Sequence, residues 1–188
     1  EITDEDGNYN KKEAQLIINH LEKLKEKKIQ QTVGIITPFT DQQKYLTTQI
    51  SKHKDRDYFF DELKLKIMTF DTCQGEERQI VFYSMVATKK KNKLNTIFPV
   101  DLSKKDLEEQ GDKRAQRLNV GFSRVQELMH IIVSRPLDQI DGEIGNALRF
   151  INNITSEEKL PKRKHLDPSS PMEKRVVDWF KQTDFYME

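Results

Sequence analysis

The sequence predicts an α/β protein whose mostly parallel sheet is covered by helices on both faces. Short apolar runs of strand length alternate along the chain with segments whose apolar residues recur at helical spacing. Most of these runs are apolar at nearly every position, which is typical of strands buried on both faces of a parallel sheet. The chain shows no internal repeat.

Four of the apolar runs are predicted to be strands. They are rich in β-branched or aromatic residues and cover residues 32–37, 65–70, 79–86 and 128–133. The run at 65–70 alternates less cleanly than the others, and strand is still the better interpretation. Three helices are predicted around these strands, over residues 10–28, 41–52 and 112–124.

Composition excludes several classes of protein. Among 188 residues, 32 Lys+Arg stand against 31 Asp+Glu, so nucleic-acid binding would have to come from local patches rather than from a global positive field. No apolar run approaches the roughly 18–20 residues of a membrane helix. The polar, acidic first eight residues do not resemble a signal peptide, and the single cysteine fits a reducing compartment. We therefore predict a cytoplasmic location without membrane association. Because the chain starts at Glu1 and stops after a helix-like segment, we expect it to be a piece of a longer protein.

The sequence lacks the common short motifs that bind phosphates or metal ions. None of the seven glycines has another glycine five residues on, so there is no phosphate-binding loop of the GxxxxGK[ST] type. The four histidines and Cys73 show no metal-ligand spacing, and we predict no metal site. Residues 59–62 imitate the Asp-Glu pair that holds magnesium in phosphate-loop enzymes, but a solvated turn is the better interpretation.

Three segments place polar residues just beyond a predicted strand or leading into one, and open α/β sheets bind ligands at the carboxyl ends of their strands. They cover residues 35–43, 68–78 and 117–124. Taken singly, they are consistent with a turn after a strand, a glycine-containing loop and a helix with arginine on its solvent face. Their joint occurrence and order carry more information than any one of them.

Together these segments resemble the second RecA-like motor lobe of a superfamily 1 helicase. The similarity is greatest to subgroup 1B, which includes the nonsense-mediated-decay RNA helicase. The family commonly has ITPY and then Gln three residues later, D-x-F-Q-G-x-E, and RLNVALTRA. This chain has ITPF at 36–39 followed by Gln42, DTCQGEE at 71–77 with Cys73 in place of the aromatic residue, and RLNVGFSRV at 117–125. The opening NKKEA at 10–14 resembles the family's N-x-x-E-A, and the likeness extends to about residue 140.

The resemblance implies a half-site for ATP. Arg124 corresponds to the arginine finger, which reaches the γ-phosphate and stabilises charge in the transition state. Glu77 would accept hydrogen bonds from the ribose, with Gln74 and Gly75 shaping the loop. Arg117, expected chiefly to orient its helix, and Gln42 complete the implied ATP-binding set. ATP and Mg2+ would be held mainly by the first lobe, which is the implied partner of this chain and is missing from it.

The resemblance also implies a track for single-stranded DNA or RNA, which the sequence does not distinguish. Thr37, Pro38, Phe39 and Thr72 would contact the strand through hydroxyls or backbone amides. The lysine cluster at 89–93 is better interpreted as a solvated loop than as an extension of this track. Closing and opening of two lobes with ATP would move the strand.

We predict a motor lobe over residues 1–153, a linker over 154–170 and a C-terminal helix over 171–188. The linker prediction depends on proline, serine and clustered charges. The last segment resembles the start of a very-short-patch-repair-type endonuclease domain of the PD-(D/E)XK class, where Glu173 matches the acid on its first helix. An ordinary C-terminal helix is the alternative. No nuclease activity is expected from this chain.

The expected function is therefore that of one lobe of an ATP-dependent helicase, nearly inactive when isolated. A catalytically degenerate nucleic-acid-binding module derived from such a motor is the alternative, and the retention of Arg124 and Glu77 argues against it. An unrelated doubly wound domain, such as a signalling receiver, would need clustered acidic residues at strand ends. Gln, Thr and Arg stand there instead.

Overall fold

Four parallel strands form one sheet in the order β2-β1-β3-β4. The computed structural model describes residues 8–88, 93–101 and 113–156. The strands are β1 (Val33–Thr37), β2 (Lys66–Thr69), β3 (Arg78–Thr88) and β4 (Val125–Ser134). The predicted fold class is confirmed, since the sheet is parallel throughout and has helices on both sides, as in RecA-like domains.

Five α-helices accompany the described part of the sheet. They are α1 (Lys11–Glu26), α2 (Thr40–Ser51), α3 (Leu94–Ile97), α4 (Lys113–Phe122) and α5 (Gly142–Ser156). The three predicted helices are α1, α2 and α4, whereas α3 and α5 were not predicted. A π-helical turn at Tyr58–Glu62 buries Phe59 and exposes the two acids that imitated a magnesium site.

Helix α1 begins where Asn10 caps it. The Asn10 side chain accepts hydrogen bonds from the N–H groups of Lys12 and Glu13, which have no partner inside the helix. Four apolar residues of α1 then lie in the core, namely Ala14, Ile17, Ile18 and Leu21. The cap thus starts the helix with its apolar stripe against the sheet.

Two hydrophobic cores lie on opposite faces of the sheet. Successive residues of a strand point into opposite cores. Ile35 and Phe82 pack with α1 and α2, whereas Ile36 and Val81 lie on the face covered by α3, α4 and α5. All five residues of β1 are buried. This double burial explains why the strands have apolar residues at consecutive positions.

The connection from β2 to β3 contains no helix, although parallel strands of one sheet are usually joined by a crossover that has one. It leaves β2 beside the end of β1, where the N–H of Phe70 donates to the Thr37 carbonyl at 3.2 Å. It reaches the start of β4 eight residues later, where the N–H of Arg78 donates to the Arg124 carbonyl at 3.0 Å. Residues 70–77 therefore run back along the sheet from its carboxyl edge to its amino edge.

The chain divides into two compact units, residues 1–149 and residues 150–188. The first unit carries the sheet, and the described residues of the second, 150–156, are the last part of α5. The predicted boundary at residue 153 falls within α5, so the division into domains stays a prediction. Most of the predicted linker and Glu173 lie outside the described residues. No helix in the described ranges has the length and apolar character needed to cross a membrane.

Candidate nucleotide and nucleic-acid site

The predicted site residues form two groups at opposite edges of the sheet. Thr37 ends β1 at the carboxyl edge, whereas Arg124 immediately precedes β4 at the amino edge. Strand register places Ile80 of β3 beside Val33, the first residue of β1, and Arg78 two residues earlier. Six residues of extended chain therefore separate the two edges, which amounts to about 20 Å.

Arg124 and Glu77 lie together at the amino edge. The hydrogen bond from the N–H of Arg78 to the Arg124 carbonyl joins the two segments, and Nε2 of Gln126 donates to Oε2 of Glu77 at 3.0 Å. Glu77 is exposed and Arg124 is half-buried. The structure thus brings the two principal predicted ATP contacts to one place.

The Arg124 guanidinium is held against the end of the preceding helix, α4. Nε donates to the Val120 carbonyl at 2.7 Å, and Nη2 donates to Oγ of Ser123 at 2.7 Å. Arginine carries five N–H donors, and these bonds use two of them within the described residues. The side chain is therefore fixed in place and still has donors for an anionic ligand.

A tight turn shapes the loop before Glu77. The N–H of Glu76 donates to the Cys73 carbonyl at 3.1 Å, and Gly75 has φ +78°, as a type II turn requires at its third residue. Gln74 and Gly75 are exposed, and a β-carbon on Gly75 would meet nothing within 4 Å. Glycine is needed there for its backbone conformation, and the turn leaves open space beside it.

Arg117 and Gln42 are bound within the protein. Nε of Arg117 pairs with Oδ1 of Asp71 at 2.5 Å, and its Nη1 donates to the Ile97 carbonyl at 3.3 Å. The Gln42 side chain is 0% exposed, accepts from the N–H of Asn10 at 2.7 Å and donates to Oγ of Ser84 at 2.8 Å. Both have structural partners here, and their contact with ATP stays a prediction.

Gln42 belongs to a buried polar network that we did not predict. At its centre the Glu13 carboxylate accepts from Oγ of Ser84 at 2.7 Å, from Oγ of Ser134 at 2.8 Å and from the N–H of Val86 at 3.0 Å. Burial raises the pKa of Glu13 to about 7, against the lowering effect of these hydrogen bonds. Asn10 and Glu13 belong to the NKKEA segment at 10–14, which was the available sequence signal for this network.

Val86 gives this network a further role. Its φ of +58° is unusual for a β-branched residue, and the β3–β4 register shifts between Ser84 and Thr88. The Glu13 carboxylate accepts the N–H that this irregularity leaves outside the ladder. The network therefore supports a strained bulge at the carboxyl edge of the sheet.

The predicted nucleic-acid contacts at the carboxyl edge differ in exposure. Thr37 is 0% exposed and Pro38 and Phe39 are buried, whereas Thr72 is exposed. Oγ1 of Thr72 accepts from the N–H of Thr69 at 2.9 Å and so ties its loop to the end of β2. The Thr72 side chain is the most accessible of the four.

Two other groups with reactive or ligand-forming side chains have structural roles. Cys73 is fully buried, and burial raises the pKa of its thiol. His53, Glu22 and Asp55 have close side chains, but Nδ1 of His53 accepts from the N–H of Asp55 at 3.1 Å. Nε2 of His53 lies 3.3 Å from Oε1 of Glu22. Because Lys25 also holds Asp55 at 2.5 Å, we assign no metal to this group.

A four-stranded parallel sheet with helices on both faces and polar segments at its edges defines an α/β domain of the RecA-like type. The chain matches the protein-family model described as "AAA domain" over residues 1–136, which is more than half of its length. The chain therefore belongs to this AAA domain family, and membership fits a superfamily 1 helicase-like motor domain. No curated protein matches the chain.

Proposed function

We propose that this chain is the second motor lobe of an ATP-dependent superfamily 1 helicase of subgroup 1B. Family membership supports a helicase-like domain in general. The observation that carries the finer proposal is that Glu77 and Arg124 both lie at the amino edge. Residues from two distant segments of the chain meet there, held by the Arg78–Arg124 backbone bond and by Gln126.

In this proposal the two side chains serve opposite ends of one nucleotide. The Arg124 guanidinium stabilises the charge that develops on the γ-phosphate oxygens, and its planar fork suits that group better than a lysine would. Glu77 accepts hydrogen bonds from the ribose hydroxyls. The first lobe of the same polypeptide supplies the phosphate loop and the residues that hold Mg2+.

The proposed nucleic-acid track lies at the other edge, about 20 Å from the nucleotide along the strands. Thr72 is an exposed residue whose hydroxyl bonds to Thr69, and the buried segment Thr37–Phe39 would contribute backbone groups rather than side chains. Contacts of this kind bind phosphates without reading bases. Separation of the two sites lets movement between lobes act on the strand, with a 5′ to 3′ direction inferred from the subgroup.

ATP hydrolysis by the full-length protein tests this proposal. Turnover is measured with and without single-stranded DNA or RNA for the wild type, Arg124→Ala and Arg124→Lys. The matched control is Arg56→Ala, an exposed arginine whose side chain pairs with its neighbour Asp57. We expect strand-stimulated turnover in the wild type and the control, and a loss of about 10³-fold or more in both Arg124 variants. ATP affinity should change little.

The two ways in which this experiment can fail have different meanings. Turnover that survives Arg124→Ala removes the arginine-finger role. A wild-type protein that binds single strands but hydrolyses no ATP is instead a catalytically degenerate module. The endonuclease-like segment at 171–188 needs a separate assay of strand cleavage in the full-length protein, with Glu173→Gln as its test variant.

A further inference from the structure

Arg78, which is not one of the predicted site residues, binds the loop that carries Glu77. Its Nη1 donates to the Glu77 carbonyl at 2.7 Å, and its Nη2 pairs with Oε2 of Glu76 at 3.1 Å. One guanidinium therefore binds two successive residues of the loop. Its backbone N–H at the same time binds the Arg124 carbonyl.

The Arg78 side chain lies along the protein rather than in solvent. It is 17% exposed, and a β-carbon on Gly34 would stand 3.1 Å from its Cγ and 3.4 Å from Cε of Met68. Glycine at position 34 of β1 thus leaves the space that the arginine stem occupies. This route brings the guanidinium to the loop from the sheet side.

Two neighbours fix the other contacts of this loop. Lys66 pairs with Oε1 of Glu76 at 2.5 Å, and together with Arg78 it holds the pKa of Glu76 below its usual value. Gln126 holds the carboxylate of Glu77 at 3.0 Å. Arg78 thus binds the backbone of Glu77, and Gln126 binds its side chain. These contacts hold Glu77 at the amino edge of the sheet, where Arg124 also lies.

We propose that Arg78 is a positioning residue for nucleotide binding, which presents Glu77 beside Arg124 through its grip on residues 76 and 77. The proposal rests on the function proposed above for Glu77. Arg78 lies between the loop and the sheet. It differs in this from Arg124, for which the proposed role is direct contact with a phosphate. Removal of Arg78 should weaken ATP binding more than it slows the chemical step.

A double-mutant cycle in the full-length protein tests this inference. KM for ATP and kcat are measured for the wild type, Arg78→Ala, Glu77→Gln and the double variant, and thermal unfolding is followed for each. We expect Arg78→Ala to raise KM about tenfold with kcat nearly unchanged, because hydrogen bonds to charged groups are of that strength. In the Glu77→Gln background the same change should raise KM less than about twofold. Arg78→Lys, which keeps the charge but loses the fork, should give an intermediate KM.

Different results would contradict the inference about Arg78 and the function proposed for the chain. Equal fold-changes in both backgrounds would show that Arg78 does not act through Glu77, and would overturn the inference alone. A fall in kcat with KM unchanged would do the same, since it would place Arg78 at the chemical step. A wild-type protein without ATP turnover would overturn the proposed function. If Arg78→Ala does not fold, the cycle is carried out with Arg78→Lys, and the same criterion of non-additivity decides.

Discussion

Gly121 lies so close to Phe70 that a β-carbon at residue 121 would come within 3.0 Å of two atoms of the ring, Cδ1 and Cε1. The contact joins helix α4, which ends just before Arg124, to the loop that carries Glu77. Phe70 is 3% exposed and packs against the rings of Tyr83, Phe98 and Phe122. The helicase motif RLNVALTRA, which this segment resembles, has alanine at the position of Gly121, and the close ring of Phe70 accounts for glycine in this chain.

Gly121→Ala should therefore destabilise the protein. Alanine gains about 1 kcal/mol over glycine from helix propensity, but overpacking of a filled core costs about 1–3 kcal/mol. The second effect should win because three other rings confine Phe70. Urea unfolding measures the difference, with Asn119→Ala, an exposed change in the same helix, as control. Phe70→Leu should relieve much of the strain in a double variant. A Gly121→Ala protein as stable as wild type would show that the ring moves freely.

Glu13 should make stability depend on pH. Its pKa is raised from 4.5 to about 7 in the folded protein, so the folded state holds a proton that the unfolded chain releases. The stabilisation is fully present below about pH 4.5 and is lost as pH rises to about 7, amounting to roughly 3 kcal/mol. Glu13→Gln should remove this dependence, which denaturant unfolding between pH 4.5 and 8 would detect.

Two histidines oppose this trend and make a variant comparison necessary. Burial lowers the pKa of both His20 and His130, whose rings lie 5.4 Å apart. Their effect is to reduce stability as pH falls below 6.5, because the unfolded chain then binds more protons. The difference between wild type and Glu13→Gln isolates the carboxyl group. An identical pH profile for the two proteins would contradict the assignment.

Cys73 should react slowly with thiol reagents while the protein is folded. The side chain is fully buried, and burial raises the pKa of the thiol above its usual value, so little thiolate is available to attack. Since Cys73 is the single cysteine of the chain, labelling with Ellman's reagent reports this site alone. We expect the rate to rise steeply with urea, in parallel with unfolding. Rapid stoichiometric labelling at pH 8 without denaturant would show that the loop at 70–77 opens in the native state.

Local sequence pattern was sufficient to predict the strands and three of the helices. A strand buried on both faces needs consecutive apolar residues, as in Val33–Thr37, and an amphipathic helix needs the spacing seen from Ala14 to Leu21. Helix α5 was missed although Ile144, Ala147, Leu148 and Ile151 have helical spacing. Its two glycines obscured the pattern. Gly142 adopts φ +74° at the helix start, and Gly145 is packed against the Ile140 carbonyl, so both have structural reasons to be there.

Sequence information was enough for the fold class and, through three short segments, for the family that the chain resembles. Which side chains of those segments face a ligand depends on the packed molecule. Gln42 is buried and bonded to Asn10 and Ser84, whereas Glu77 is exposed and bonded to Arg78 and Gln126. Propensity and periodicity act over a few neighbouring residues, but these contacts join positions tens of residues apart. Strand register and loop path set such contacts, and both form only when the whole sheet is packed.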